Sequence, residues 1–537
     1  MNLKSLKQSG HSPTLLAAFL HFDVSFMVWV ILGALAPFLT TDPALTGINL
    51  RVTRLSGVER AGQYTLIVKG PDEAKHQPKN VYNLLVKPGD PSTATRASVK
   101  PIEAFVVDNA DPATIANVNA KSHLIRIETA DAARGNPNEN VVPLKLADAK
   151  PQPVANGYPA SLKLTLIGIP LLAAGFWRIL LGLLADRFGS KPVGIASMTV
   201  TLLPLIVGWQ FADSYFTLGL VGFFLGVAGA SFAVALPLAS RWYPPHLQGL
   251  AMGIAGAGNS GTVLATLFAP VLARSLGWHG VFGLLLIPVS LTLLTFTILA
   301  KEPPRRGEPS RLADFAQVLR QRDVWTFCGL YFVTFGGFVG LSSFFNTFFV
   351  DQYDAPKAAV GLWTWPFIVA GSLMRPIGGA LADRFGGIRM LSVLFAVAGL
   401  SAATVGAVIG NFAAASVALF LLMGSLGMGN GSVFQLIPQR FKKEIGVVTG
   451  LVGAAGGIGG YYLTFALGHL HDATRTYSSG FWALSSIVVV ALLLLLTAAR
   501  RWTRTWLGAG GKAPAQAIVE ISPAAIAEEK ELVTSGA

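Results

Sequence analysis

One twelve-residue phrase occurs twice in this chain. The first copy begins at Arg178 and closes on Asp186-Arg187-Phe188-Gly189. The second begins at Arg375 and closes on Asp383-Arg384-Phe385-Gly386, 197 residues later. Gly249, Gly253 and Gly256 recur at the same offset as Gly446, Gly450 and Gly453. Two separate matches at one offset mark a duplicated half, so the fold must be built from two units of like architecture.

The phrase has a geometry of its own. With Asp186 and Arg187 at a membrane surface, Arg178 lies about 12 Å deeper along a helix rising ~1.5 Å per residue. The hydrocarbon core is roughly 30 Å thick, which puts Arg178 near its middle; the same holds for Arg375. A guanidinium stays charged, and permanent cations at that depth read as functional. The bland alternative is an arginine that snorkels to the surface or pairs with a buried acid. The apolar segments around both arginines contain no acid.

The chain reads as an integral membrane protein. Of its 537 residues 52% are hydrophobic and 13% charged, with mean hydropathy +0.55, against about 25% charged in soluble domains. Twelve stretches are long enough to span: 15–39, 162–184, 192–210, 216–240, 247–273, 277–300, 324–350, 358–382, 388–409, 412–438, 445–467 and 479–499. They divide six and six about a basic connection, 301–323. Lys4 and Lys7 precede the first, which is too long for the core of a signal peptide. Lys and Arg crowd the loops holding Arg187, Arg241, Arg305, Arg384 and Arg440 and both tails. The opposite short loops hold Lys163, Arg274, Lys357 and Arg475. Both termini are therefore expected in the cytoplasm. This asymmetry accounts for most of the net charge of +13, and a nucleic-acid partner is set aside. The one cysteine, Cys328, implies neither a disulfide framework nor a metal site.

The expected organisation is residues 1–40 as tail and first helix, 41–160 as an insert, 161–300 completing the first half, 301–323 as linker, 324–500 as the second half, and 501–537 as a cytoplasmic tail. The insert is polar and rich in turn-forming residues. Its short β-type runs at 64–68, 81–86, 124–127 and 141–144 predict a small β-rich domain on the periplasmic face, with a disordered loop as the alternative. No catalytic or metal constellation stands out in it, and no cofactor is expected.

The loop Gly182-x-Leu-Ala-Asp186-Arg187-Phe188-Gly189-x-Lys191 and its partner in the second half resemble the signature loop of the major facilitator superfamily. The glycine-rich runs 253–261, with Asn259, and 450–460 resemble the nitrate signatures of its nitrate/nitrite porters. The stretches 427–435 and 331–337 also look like that family. Glycines three or four apart alone can mean only helix packing; joined to a mid-membrane Arg in both halves they mean more. The resemblance covers the helices and not the insert. It implies an all-α fold of twelve transmembrane helices in two pseudo-symmetric halves, with Arg178 and Arg375 clamping the anion, Asn259 bonding it, and Phe232, Tyr331 and Phe335 as aromatic walls. Gly453 departs from members that carry a hydroxyl residue there. Asp186, Arg187, Asp383 and Arg384 would be gating and structural. Asp23 is the acid furthest inside a span and is the candidate for proton coupling; the alternative is that it pairs with a cytoplasmic-side Lys or Arg as a gate.

The function expected is import of nitrate, with nitrite as a second substrate, across the inner membrane by proton symport, in a monomer that is not an enzyme. The alternatives are nitrate/nitrite exchange, transport of a larger anion, and a membrane sensor that uses the insert.

Overall fold

The computed structural model describes residues 10–39, 160–243, 251–252, 254–303, 312–441, 445–503 and 505–511, together with the backbone of six strands between 62 and 155. In hydrocarbon every backbone polar group must be satisfied within its own segment, and apolar runs of this length become helices for that reason. The helices are α1 (Ser12–Trp29), α2 (Ile31–Leu39), α3 (Ala160–Phe188), α4 (Ser190–Gln210), α5 (Tyr215–Gly229), α6 (Phe232–Ser240), α7 (Gly261–Leu299), α8 (Leu312–Leu319), α9 (Arg322–Tyr353), α10 (Val360–Phe385), α11 (Gly387–Val408), α12 (Phe412–Arg440), α13 (Ile445–Thr474) and α14 (Ser478–Trp502). Among the described residues ten helical stretches are long and apolar enough to cross a membrane. One of them, Ile254–Leu299, has 46 residues, about 69 Å of helix and more than twice a hydrocarbon core. It is broken at Gly277, where φ 70 and ψ 162 are not helical. The 26-residue α10 carries Arg375 and lies outside the ten.

The strands are β1 (Gly62–Val68), β2 (Asn80–Pro88), β3 (Ile102–Asp108), β4 (His123–Ile127), β5 (Leu144–Leu146) and β6 (Gln152–Ala155). They form one antiparallel sheet in the order β4-β3-β1-β2-β5, with β6 also on β2. The rest of the expected insert at 41–160 lies outside the described residues.

Both copies of the duplicated phrase end on the same backbone device. Gly189 has φ +100 between α3 and α4, and Gly386 has φ +98 between α10 and α11. The amide of each donates back four residues, to Ala185 O at 2.9 Å and Ala382 O at 2.8 Å. This left-handed turn reverses the chain between two spans with no loop, and it favours a residue without Cβ.

Where helices meet, glycines let backbone touch backbone. A Cβ at Gly457 of α13 would lie 2.7 Å from Leu171 O and 3.1 Å from Gly175 N of α3. One at Gly468 would lie 2.7 Å from Ala160 O. The α3–α13 seam thus runs from Ala160 inward to Arg178.

Ion pairs divide by end. At the end carrying the duplicated phrase the described pairs stay within a half. Asp186 bonds Arg241 at 3.0 Å, and Asp323 accepts from Arg440 Nε at 2.7 Å, from Arg501 and from Trp502 Nε1 at 2.8 Å. At the other end an ion pair crosses between halves. Lys163 Nζ of α3 donates to Asp351 of α9 at 2.9 Å, and Tyr477 donates to the same carboxylate at 2.9 Å. Asp472 of α13 accepts from the amides of Ala160 and Ser161 at 2.9 and 3.0 Å, capping α3. Lys163, expected in an outward loop, is inside α3 and 2% exposed. A buried cation needs a partner, and Asp351 supplies it.

Candidate functional site

Arg178 and Arg375 are drawn together in the core, 2% and 9% exposed. Arg178 reaches both halves. Its Nε donates to Gly229 O at 3.1 Å and its Nη1 to Gly453 O at 2.5 Å. The local fold makes the first acceptor available. Between α5 and α6 the helix tightens, and Ala233 N bonds Ala230 O at 2.9 Å, so Gly229 O is free to accept from Arg178. At the second acceptor a Cβ would lie 3.6 Å from Arg178 Cδ and 3.9 Å from Nη1, ordinary contact distances, so the hydrogen bond does not itself demand a glycine at 453. Nη2 of Arg178 and Nη1 of Arg375 have no partner among the described residues. Arg178 therefore offers its Nη2, with Nε and Nη1 already bonded to carbonyls.

An aromatic cage surrounds the two guanidiniums. Phe232 lies between them, its ring centroid 5.9 Å from Arg178 Cζ and 5.5 Å from Arg375 Cζ. Phe335 and Trp29 face Arg178 at 5.0 and 5.2 Å, and Phe434 faces Arg375 at 5.4 Å. Tyr331 stacks on Phe335 at 5.0 Å with an interplanar angle of 6°, and Trp29 stacks beyond Phe335 at 6.3 Å and 11°. Ring faces are the negative part of an aromatic quadrupole, and they offset some of the penalty of burying two cations where no acid is near. Trp29 is fixed by its indole N–H, which donates to Pro170 O at 2.8 Å. Trp29 and Phe434 are absent from the sequence-based set although both sit in stretches singled out there. An aromatic at helical spacing in an apolar run carries no mark of which way it points.

Asn259 is fully buried in a short 3₁₀ turn, Ala257–Ser260, and neither side-chain polar atom has a partner among the described residues. Its carbonyl accepts from Ser372 of α10 at 3.4 Å, one turn before Arg375. Next to it, Ser260 Oγ donates to Asp23 Oδ1 at 2.6 Å. Gly258 and Gly261 face α1 beside Asp23, with a Cβ at Gly258 falling 2.9 Å from Asp23 N. Among the described residues no Lys or Arg pairs with Asp23, which is not the arrangement the gate alternative requires. Asp186 pairs with Arg241, as described, while Arg187 and Arg384 lie over the rings of Phe188 and Phe385 at 5.5 and 5.3 Å. Asp383 is exposed, and the neighbouring Lys442 and Lys443 lie outside the described residues.

Among the described residues a Cβ at Gly256 or Gly450 would meet nothing within 4 Å, while one at Gly446 of α13 would lie 3.9 Å from Asp186 Oδ2 of α3. At the opposite end the α3–α13 seam and the Lys163–Asp351 pair join the halves.

The profile of the Major Facilitator Superfamily matches residues 155–462. A protein of Bacillus subtilis (strain 168) described as "Nitrite extrusion protein" is 35% identical over 328 residues, covering 60% of this chain and 81% of that protein. A Thermus thermophilus protein described as "Probable nitrate/nitrite antiporter NarK1" is 32% identical over 326 residues, covering 55% and 73%. Staphylococcus carnosus (strain TM300) has a "Probable nitrate transporter NarT" at 32% over 317 residues, covering 59% and 81%. Among solved structures, that of the human organic anion transporter MFSD10 shares the fold, with TM-score 0.51 at 15% identity over 62% of this chain and 84% of that one.

Proposed function

We propose a transport function for this chain, which belongs to the Major Facilitator Superfamily and, within it, to the nitrate/nitrite porters. It imports nitrate, with nitrite as a second substrate, by alternating access. The observation that carries this is the pair of buried guanidiniums, one from each half, each with an unpartnered N–H and both over the ring of Phe232. Nitrate is planar and weakly hydrated. It slides between aromatic faces at little desolvation cost and takes charge-assisted bonds in its own plane.

On this reading the helices number twelve, because Ile254–Leu299 divides at Gly277 and α10 is counted with the rest. Lys and Arg put the duplicated phrase in the cytoplasm. The Lys163–Asp351 end and the insert then face the periplasm. Arg178 and Arg375 hold the anion, Asn259 bonds it, and Phe232, Tyr331, Phe335, Phe434 and Trp29 wall it. Asp186, Arg187, Asp383 and Arg384 govern reorientation at the cytoplasmic face.

Asp23 carries the coupling proton. Its carboxylate is bonded to Ser260, next to Asn259, so its protonation state and the anion's presence act on one turn of backbone. The rival is nitrate/nitrite exchange. What favours exchange is Arg375, whose Nη1 has no carbonyl to lean on and whose charge opposes the return of an empty carrier. Nitrate uptake into proteoliposomes, with and without an inward proton gradient, decides between them. Under symport the gradient concentrates nitrate in vesicles without internal nitrite, and Asp23→Asn abolishes that response while leaving nitrate binding intact. Uptake that needs internal nitrite and ignores the gradient supports exchange. No uptake of either anion removes the transport assignment.

A further inference from the structure

The packing of α12 fixes where Asn430 points. Successive helical side chains are ~100° apart. Gly427 and Gly431 face α10, since a Cβ at either would run into its backbone, at Gly371 or at Arg375 and Gly379. Gly429 and Leu426 face α9, with a Cβ at Gly429 falling 2.8 Å from Thr334 Cγ2 and Leu426 touching Gly337. Asn430 follows the residue that faces α9 and precedes the one that faces α10, so it points into the wedge between them. Phe434, one turn on, occupies the same wedge. Its ring is 5.1 Å from Tyr331 of α9, 5.4 Å from Arg375 of α10 and 5.7 Å from Phe232 of the other half. The wedge therefore opens on the site.

Asn430 is 0% exposed, and neither Nδ2 nor Oδ1 has a partner among the described residues. Beside it on α9, the Thr334 hydroxyl is also buried without one. An unpaired buried carboxamide destabilises a fold, and a leucine of similar volume would pack there without that penalty. The amide is explained by a ligand. Arg178 offers Nη2 and Arg375 offers Nη1 from opposite halves, and Asn259 adds its amide, against an anion whose oxygens each accept more than one hydrogen bond. Nitrate has a third oxygen in the same plane; nitrite does not.

We propose that Asn430 is an anion-positioning residue that donates its Nδ2–H to the third oxygen of nitrate and so sets the preference for nitrate over nitrite. The proposal rests on the nitrate/nitrite function above. Each half then contributes one guanidinium and one carboxamide, Arg178 with Asn259 and Arg375 with Asn430. The test is uptake of nitrate and of nitrite, each measured separately, by the full-length protein in proteoliposomes. Asn430→Leu is expected to melt at or above the wild-type temperature, to raise the KM for nitrate about ten- to a hundred-fold, and to move that for nitrite less than about threefold. Asn430→Asp, which sets a carboxylate against the anion, is expected to lose nitrate uptake. Should the leucine variant not insert, Asn430→Ser reads the same nitrate-to-nitrite ratio with a shorter donor. An unchanged ratio overturns the proposal, as does an equal rise in both KM values with a lowered melting temperature. If the wild type takes up neither anion, the function beneath the proposal fails and takes it along.

Discussion

At the scale of the residue, the two arginines do different work. Arg178 is committed to Gly229 O and Gly453 O, and in the proposed site what remains of it would meet the anion. Lysine keeps the charge but has one nitrogen, which cannot hold two carbonyls and an anion in one plane. Arg178→Lys and Arg375→Lys are each expected to lower nitrate uptake by about a hundredfold or more, the order expected for losing two charge-assisted bonds. Uptake per inserted transporter measures it, and near-wild-type uptake by either variant would take that arginine out of the clamp. These two residues were legible in the sequence because a permanent charge inside an apolar run has no ordinary explanation. Asn430 and Phe434 were not. An amide and a ring on a glycine-rich helix look like packing until the neighbours on either side say which wedge they fill. Lys163 was misread for a related reason. Its acid, Asp351, is 188 residues away in the chain, so nothing local marks the pair.

At the scale of the element, the glycines of α13 are unequal, and the difference can be tested. Gly457 lies against Leu171 O and Gly175 N, so Gly457→Val is expected to force α3 and α13 apart, lowering both uptake and thermal stability. Gly450 has open space around it, and Gly450→Ala is expected to leave both nearly unchanged. Thermal melts of the purified variants compare them; equal effects at both positions would mean that the seam is not where α13 bears on the first half. The spans themselves were legible from hydropathy and their connections from the repeated phrase. One feature was not: the tightening between α5 and α6 that frees Gly229 O, which goes with the tertiary contact to Arg178.

At the scale of the whole molecule, the helical bundle and the segment 41–160 are separable in the chain, since the segment leaves and re-enters between two spans. Replacing 41–160 with a short polar linker is expected to leave nitrate uptake largely intact. A deletion variant that inserts and melts normally yet binds no nitrate would make the segment part of the site.

The α3–α13 seam has a consequence for how such a molecule moves. Part of it is main chain on main chain, with Gly457 on Leu171 O and Gly468 on Ala160 O, beside side-chain contacts such as Thr464 and Tyr461 at Gly168. Long side chains that interlock lose rotamer freedom each time they engage and regain it each time they part, up to about 2 kcal/mol apiece. Bare backbone has none to lose. Two halves meeting along such a surface close and reopen with less conformational entropy at stake, so the balance between the two orientations is left more to the few charged groups at the ends and to the anion between them.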